Sequence, residues 1–278
     1  MSDLQLITAD TVRSMSYNEL IALVGETNRI PGGGRTCSRI AASCFITERT
    51  RVLDIGCSTG ATSIELATLT ACTVVGIDLN PISVEIATDR VRQAGLTSAS
   101  FQVGDASRLE FPDSTFDVVV CGNVTALVDD PERTITEYMR VLRNGGHLVV
   151  VPMYYLERPP DELLSAVRRI VGVELPVLDK SSAFGQFGRA ELEATMSEDY
   201  RFDALEASAV STFCDRMLAR PHLDRLSPQA RAALSDVYRE ALEIFRQNLA
   251  LMGFTIGIYR KSALQLDPEL FTATPVGH

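Results

Sequence analysis

The sequence predicts an α/β fold: a mostly parallel sheet covered by helices on both faces, with a helical block before it and a helical cap in its second half. Three observations predict this. From residue 51, short apolar runs alternate with helical stretches. The runs are continuously apolar, the pattern of strands buried on both faces. The first of them, Arg51-Val-Leu-Asp-Ile, passes through Gly-Cys-Ser-Thr-Gly directly into a helical stretch. Right-handed crossovers then bring the C-terminal ends of parallel strands to one side, where ligands bind in such sheets.

Residues 9–29 carry a helical stripe in Leu20, Ile21, Leu23 and Val24, with Asp10 or Ser16 as a start cap. Ile-Pro-Gly-Gly-Gly at 30–34 breaks it, and 36–45 predicts a second short helix. Residues 1–48 are therefore expected to be a helical block that packs across the sheet edge or hinges as a lid. Strands are expected at 51–55, 72–78, 99–103, 116–121 and 147–152. Helices are expected at 61–69, at 82–94 between Asn80-Pro81 and Gly95, and at 131–142 before Asn144-Gly-Gly. Residues 49–152 form the ligand-binding core in this reading.

After residue 152 the alternation stops. Helices are expected at 161–171 and 190–197, a strand at 201–210, a mainly helical stretch over 213–252 broken near Pro221 and Pro228, and a last strand at 254–259. Residues 153–262 complete the sheet and insert the helical cap, and 263–278 form a tail.

Composition narrows the class. With 46% hydrophobic and 22% charged residues, the chain reads as an ordinary soluble protein. A formal net charge of −10 argues against nucleic acid as an obligate partner, since phosphates need clustered Lys and Arg. No apolar run approaches the ~20 residues of a membrane span, and the N-terminus lacks the order of a signal peptide. A cytoplasmic location is expected. The six cysteines (Cys37, Cys44, Cys57, Cys72, Cys121 and Cys214) form no C-x-x-C pair, and there are only three histidines, so no metal site is expected.

The turn at 56–60 admits three ligand classes. A dinucleotide fold wants G-x-G-x-x-G, but Ser58 and Ala61 stand at its second and third glycines. An α/β-hydrolase wants G-x-S-x-G, which Gly56 to Gly60 satisfies with Ser58 as nucleophile. The third class is the nucleoside-binding turn of an S-adenosylmethionine (SAM) enzyme. Acids at successive strand ends favour the third. Asp54 lies near the end of the first strand, Asp78 ends the second and Asp105 follows the third. An acid 22 residues after Gly56 can accept both ribose hydroxyls of a nucleoside, and one after the third strand can accept an adenine amine. Acidity beside the first turn suits a cationic ligand better than a pyrophosphate.

VLDIGCSTG at 52–60, VVGIDLNP at 74–81, GDASRLEFPDSTFDVVVCGNVTALVDDP at 104–131 and RVLRNGGHLVVV at 140–151 resemble the motifs of the class I SAM-dependent methyltransferases, in their small-molecule branch. The resemblance covers roughly residues 50–152. It departs from the family at Ser58, where glycine is usual. It implies a Rossmann-like, seven-stranded sheet with its last strand antiparallel, and SAM as methyl donor with S-adenosylhomocysteine (SAH) as product. It also implies roles. Asp54 would order the first turn near the methionine ammonium, while Gly56, Cys57, Ser58 and Gly60 would let backbone pack on the ligand. Asp78 would hold the ribose, with Leu79 beside the adenine. Asp105 and the Ala106 N–H would bind adenine. Cys121, Gly122 and Asn123 would end the strand where donor meets acceptor.

The stretch Cys-Gly-Asn-Val-Thr after the fourth strand lacks the Asp/Asn-Pro-Pro-aromatic run of nucleic-acid amino methyltransferases. A large helical cap implies an enclosed acceptor, hence a small, partly apolar molecule, and the irregular cap together with the resemblance implies one of specialised metabolism. Tyr17, Met153, Tyr154, Tyr155, Phe184 and Phe187 are the candidate pocket residues. Candidate bases are Tyr154, Glu157, His222 and Asp129, although methyl transfer needs none when the acceptor has no proton to lose. Two alternatives stay open: a catalytically inactive SAM-fold protein serving as a binding or regulatory partner, and a hydrolase using Ser58 with His222. The oligomeric state is also open, a homodimer included.

Overall fold

The first buried run pairs on both edges, which fixes the centre of the sheet. β1 (Arg51–Ile55) lies between β2 (Thr73–Asp78) and β4 (Phe116–Cys121), parallel to both. β3 (Ala99–Val103) adds outside β2, and β5 (Leu142–Val150) outside β4, again parallel. β8 (Met252–Lys261) runs antiparallel beside β5, and β7 (Leu192–Arg201) pairs along its far edge. The short β6 (Met153–Tyr155) continues the line of β5 along the start of β8, and is the eighth strand beyond the seven expected. The computed structural model describes residues 4–27, 29–172, 176–189 and 191–262. The tail at 263–278 lies outside the described residues.

Helices cover both faces. α3 (Gly33–Ser43), α4 (Ala61–Thr70) and α5 (Pro81–Ala94) lie on one side, and α6 (Pro131–Val141) on the other. Successive strand residues face opposite ways. Val52 packs with Ile40 and Leu66 on the first face, whereas Leu53 and Ile55 pack with Ile135 and Tyr138 on the second. Each of these strand residues is therefore buried, and the run reads as continuously apolar. α5, α6 and the later α10 (Pro228–Leu249) all start with a cap followed by proline. Asn80, Asp130 and Ser227 each accept a backbone N–H of the first turn.

The second half builds the cap. α7 (Asp161–Val171) and α8 (Lys180–Gly185) precede β7, while α9 (Ala207–Leu218), a 3-10 turn (Pro221–Arg225) and α10 lie between β7 and β8. α1 (Ala9–Arg13) and α2 (Tyr17–Val24) join α9 and α10 in a core separate from those of the sheet, containing Val12, Leu20, Val24, Cys214, Met217, Leu234 and Tyr238. The N-terminal block thus divides. Its first two helices belong to the cap core, and α3 packs on α4. Ser16 and Glu19 form a reciprocal capping box that fixes where α2 starts.

Three expected elements come out differently. The helix expected at 190–197 is strand β7, because β8 offers an open edge and strand pairing outweighs the helical preference of Glu193, Ala194 and Met196; Ala190 itself lies outside the described residues. The strand expected at 201–210 is instead a loop leading into α9. β5 starts at Leu142 rather than 147, and the pairing of β4 with β5 shifts register between Phe116 and Val118. The Asn144-Gly-Gly stretch thus lies inside an irregular strand rather than before it.

Candidate active site

Four strand ends converge on one edge of the sheet. Asp78, at the end of β2, is the acceptor around which two of them are tied. The Ser58 N–H donates to its Oδ2 at 2.9 Å, and the Asn80 N–H donates to its Oδ1 at 2.9 Å. Each carboxylate oxygen keeps further acceptor capacity for a ligand. Beside it stand two large apolar side chains left in solvent, Leu79 at 69% exposure and Val103 at 53%. Gly56 has φ of 66°, and a Cβ there would come within 2.2 Å of Val124 Cγ2. Gly60 has φ of 80°, and a Cβ there would meet the Phe101 ring at 2.7 Å and Ala87 at 2.8 Å. Carboxylate acceptors, exposed apolar walls and a tight turn held close by Val124 and Phe101 fit an adenosine-bearing cofactor.

Ser58 holds a left-handed φ of 48° where the family's glycine would rest without strain. Replacing it tests that strain. Ser58→Gly is expected to raise stability by about 0.5–1 kcal/mol, net of glycine's added chain entropy, seen as a higher denaturation midpoint at unchanged m-value.

Asp54 lies under the turn at 4% exposure, and its Oδ2 accepts the Ser63 hydroxyl at 2.5 Å. This bond ties the end of β1 to the first turn of α4. Burial pushes the Asp54 carboxyl up to about 7; the Ser63 bond opposes the rise and the Asp78 charge adds to it. Asp105 is exposed. Its Oδ1 accepts the Ser107 N–H and hydroxyl, each at 2.8 Å, and these bonds, helped by the charge of Arg133, hold it below the usual carboxylate range. Ala106 is buried beside it. Cys57 is buried and packs towards Gly76. Cys121 is also buried, its sulfur 3.1 Å from the Thr125 hydroxyl and 3.6 Å from that of Tyr138. Asn123 uses its Oδ1 to accept the Met153 N–H at 2.9 Å, which joins the end of β4 to β6. Gly122 faces Ile30 from the loop before α3, and the Ile30 N–H donates to Thr62 in α4.

Residues 46–181 match the family model described as a methyltransferase domain. They form a class I SAM-dependent methyltransferase domain. The chain is 33% identical over 170 residues to the 27-O-demethylrifamycin SV methyltransferase of Amycolatopsis mediterranei, a match covering 59% of this chain and 62% of that protein. It is 32% identical over 122 residues to an uncharacterized methyltransferase, YcgJ, of Bacillus subtilis, covering 43% and 47%. The match thus spans less than two thirds of either relative. The fold is shared with the MccD protein, at a TM-score of 0.69, 20% identity and coverage of 84% of this chain and 100% of that one. It is shared also with the [4+2]-cyclase SpnF, at 0.66, 23%, and coverage of 94% and 99%.

The candidate acceptor residues separate into three places: an open cavity, a narrow cleft and the cap. Tyr154 and Tyr155 line an open cavity of about 520 Å³ with Lys180, Asp199, Tyr200 and Arg201. The buried Tyr154 hydroxyl lies 3.0 Å from Thr255 Oγ1, and Thr255 donates to Asp199 at 2.7 Å, whose other oxygen meets Lys180 at 2.6 Å. Tyr155 donates to Asn248 at 2.9 Å. Phe187, together with Gly122 and Asn123, lines a narrow cleft at the end of β4, while Phe184 packs near Gly257 and Met153 is half-buried. Tyr17 lies in the cap, its ring 4.4 Å from that of Phe245. His222 is also in the cap, where its Nε2 bonds the Leu23 carbonyl at 2.9 Å. Glu157 forms an exposed pair with Arg201 at 3.8 Å, and Asp129 is exposed.

Sequence reasoning missed Arg90, Thr59 and Glu26. Arg90 donates to the Thr59 carbonyl at 2.9 Å and to the carbonyls of Gly25 and Glu26 at 2.8 and 2.7 Å. An arginine on an amphipathic helix reads as a solvated charge, so no local signal marks it.

Proposed function

We propose that the chain binds SAM across the ends of β1–β4 and transfers its methyl group to a small, partly apolar molecule, in specialised metabolism. The observation that carries this reading is Asp78: a carboxylate already oriented by two backbone N–H groups, flanked by the exposed Leu79 and Val103. Its remaining lone pairs would accept the ribose hydroxyls, Leu79 and Val103 would cover the base, and Asp105 would accept the adenine amine. The Ala106 N–H would serve a ring nitrogen. SAM supplies an electrophilic methyl group and its own leaving group. The chain's part is to align the acceptor and exclude water. The cavity beside Tyr154 and Tyr155 would take part of the acceptor, and the Tyr154–Thr255–Asp199 chain offers a path for a proton when the acceptor must lose one.

The named relative from Amycolatopsis supports a natural-product acceptor, and the [4+2]-cyclase of the same fold supports a second reading in which no methyl is transferred. Ser58 hydrolysis has less support, since His222 is spent on the Leu23 carbonyl in the cap. Labelled SAM decides between the first two. Incubation of the protein with methyl-tritiated SAM and a panel of phenols, amines and macrolactones is expected to move label into one acceptor class. SAH bound at micromolar affinity with no label moved to any acceptor would favour the second reading, and absence of SAH binding would sink both.

A further inference from the structure

The last carbonyls of a helix lack partners within it and carry partial negative charge. In α2 those carbonyls are met from two directions. The cap supplies His222 to Leu23 and Arg220 to Val24 and Gly25. The sheet supplies Arg90 from α5, which reaches Gly25 and Glu26. Residue 25 is glycine because its φ is 75°, a left-handed conformation that glycine adopts without strain. The Glu26 carboxylate in turn accepts the Tyr238 hydroxyl of α10 at 2.5 Å. The end of α2 is therefore fixed within the cap core.

Arg90 has a second task. The nitrogen that is free of α2 donates to both the carbonyl and the hydroxyl of Thr59, between Ser58 and Gly60 in the cofactor turn. One guanidinium thus joins the turn that faces the cofactor to the end of a helix whose core is separate from the sheet's. Nearby, Arg29 pairs with Glu65 at 2.6 Å and Ile30 bonds Thr62, so the following loop is tied to α4 instead.

We propose that Arg90 is a positioning residue that couples occupancy of the 56–60 turn to the helical cap, so that cofactor binding and the docking of the α2 end strengthen one another. The coupling is reciprocal, as linkage requires. It acts through geometry that only a planar fork supplies, because a lysine ammonium cannot hold the Thr59 and α2 carbonyls at once in the same arrangement. The proposal rests on SAM being the ligand of that turn.

The test uses SAH on the full chain, with calorimetry for affinity and hydrogen exchange for the cap. In the wild type, SAH is expected to slow exchange at 56–60 and also at 20–26. Arg90→Met is expected to weaken SAH about tenfold, the lower part of the usual coupling range. At saturating SAH it should keep protection at 56–60 and lose it at 20–26. Arg90→Lys is expected to lose most of the same protection, and it decides the matter where the Met variant does not fold. Protection at 20–26 that persists in the variant that folds, or an affinity within twofold of wild type, overturns the proposal. A wild type that binds no SAH instead overturns the SAM reading, and this proposal with it.

Discussion

Asp78→Ala is expected to lower SAH affinity by roughly 100-fold or more in calorimetry with the wild type as reference. The size follows from what the carboxylate does. A hydrogen bond to a charged group is worth about 1.5–3 kcal/mol, and the ribose offers two. Each 1.4 kcal/mol is about tenfold. The same carboxylate also fixes the Ser58 and Asn80 N–H groups, so its loss leaves the 56–60 turn without that anchor. Asp78→Asn keeps one acceptor oxygen and is expected to fall between, near tenfold. SAH affinity within threefold of wild type in Asp78→Ala, with the fold intact by circular dichroism, would remove this residue from the site and with it the observation on which the function rests.

Stability is expected to fall as pH rises from about 4 to about 7, with Asp54 as the cause. The folded protein holds this proton up to about 7 because the carboxyl is buried, whereas the unfolded chain releases it near the ordinary value of 3.8. Within that window unfolding releases a proton, so raising the pH favours the unfolded state. Above 7 both states are ionised and the penalty is constant. At 1.36 kcal/mol per pH unit the full effect is roughly 4 kcal/mol at most. Asp54→Asn removes the ionisation and leaves Ser63 a partner, so its denaturation midpoint is expected to exceed that of wild type at pH 8 and to approach it at pH 4. Equal pH dependence in the two proteins would show that Asp54 is ionised throughout. In the proposed SAM complex the ammonium favours the ionised carboxylate, so cofactor affinity rises with pH up to about 7.

The sheet was legible because its information is local. β1 to β4, with the cap at Asn80 and the stop at Gly95, fall where runs, caps and glycines put them. The candidate cofactor residues were legible for the same reason. A strand-end acid and a tight turn are defined by their immediate neighbours, and a parallel sheet brings all such ends to one edge. β7 was not legible. Glu193, Ala194 and Met196 favour a helix in isolation, and only the open edge of β8, where their partners lie 62 to 67 residues later in the chain, makes them a strand.

The sequence by itself determined the class of fold, the strand-end acids and the type of ligand they suit, since each is a matter of residues close together in the chain. The tertiary structure alone decided that Asp54 is buried under the turn, that α1 and α2 share a core with α9 and α10, and that Arg90 joins that cap to Thr59. The Arg220 contact to Gly25 spans 195 residues, and the Tyr238 contact to Glu26 spans 212. Such pairings depend on which charged side chains meet which helix end once the chain has closed, and neither hydrophobic period nor turn chemistry carries that information.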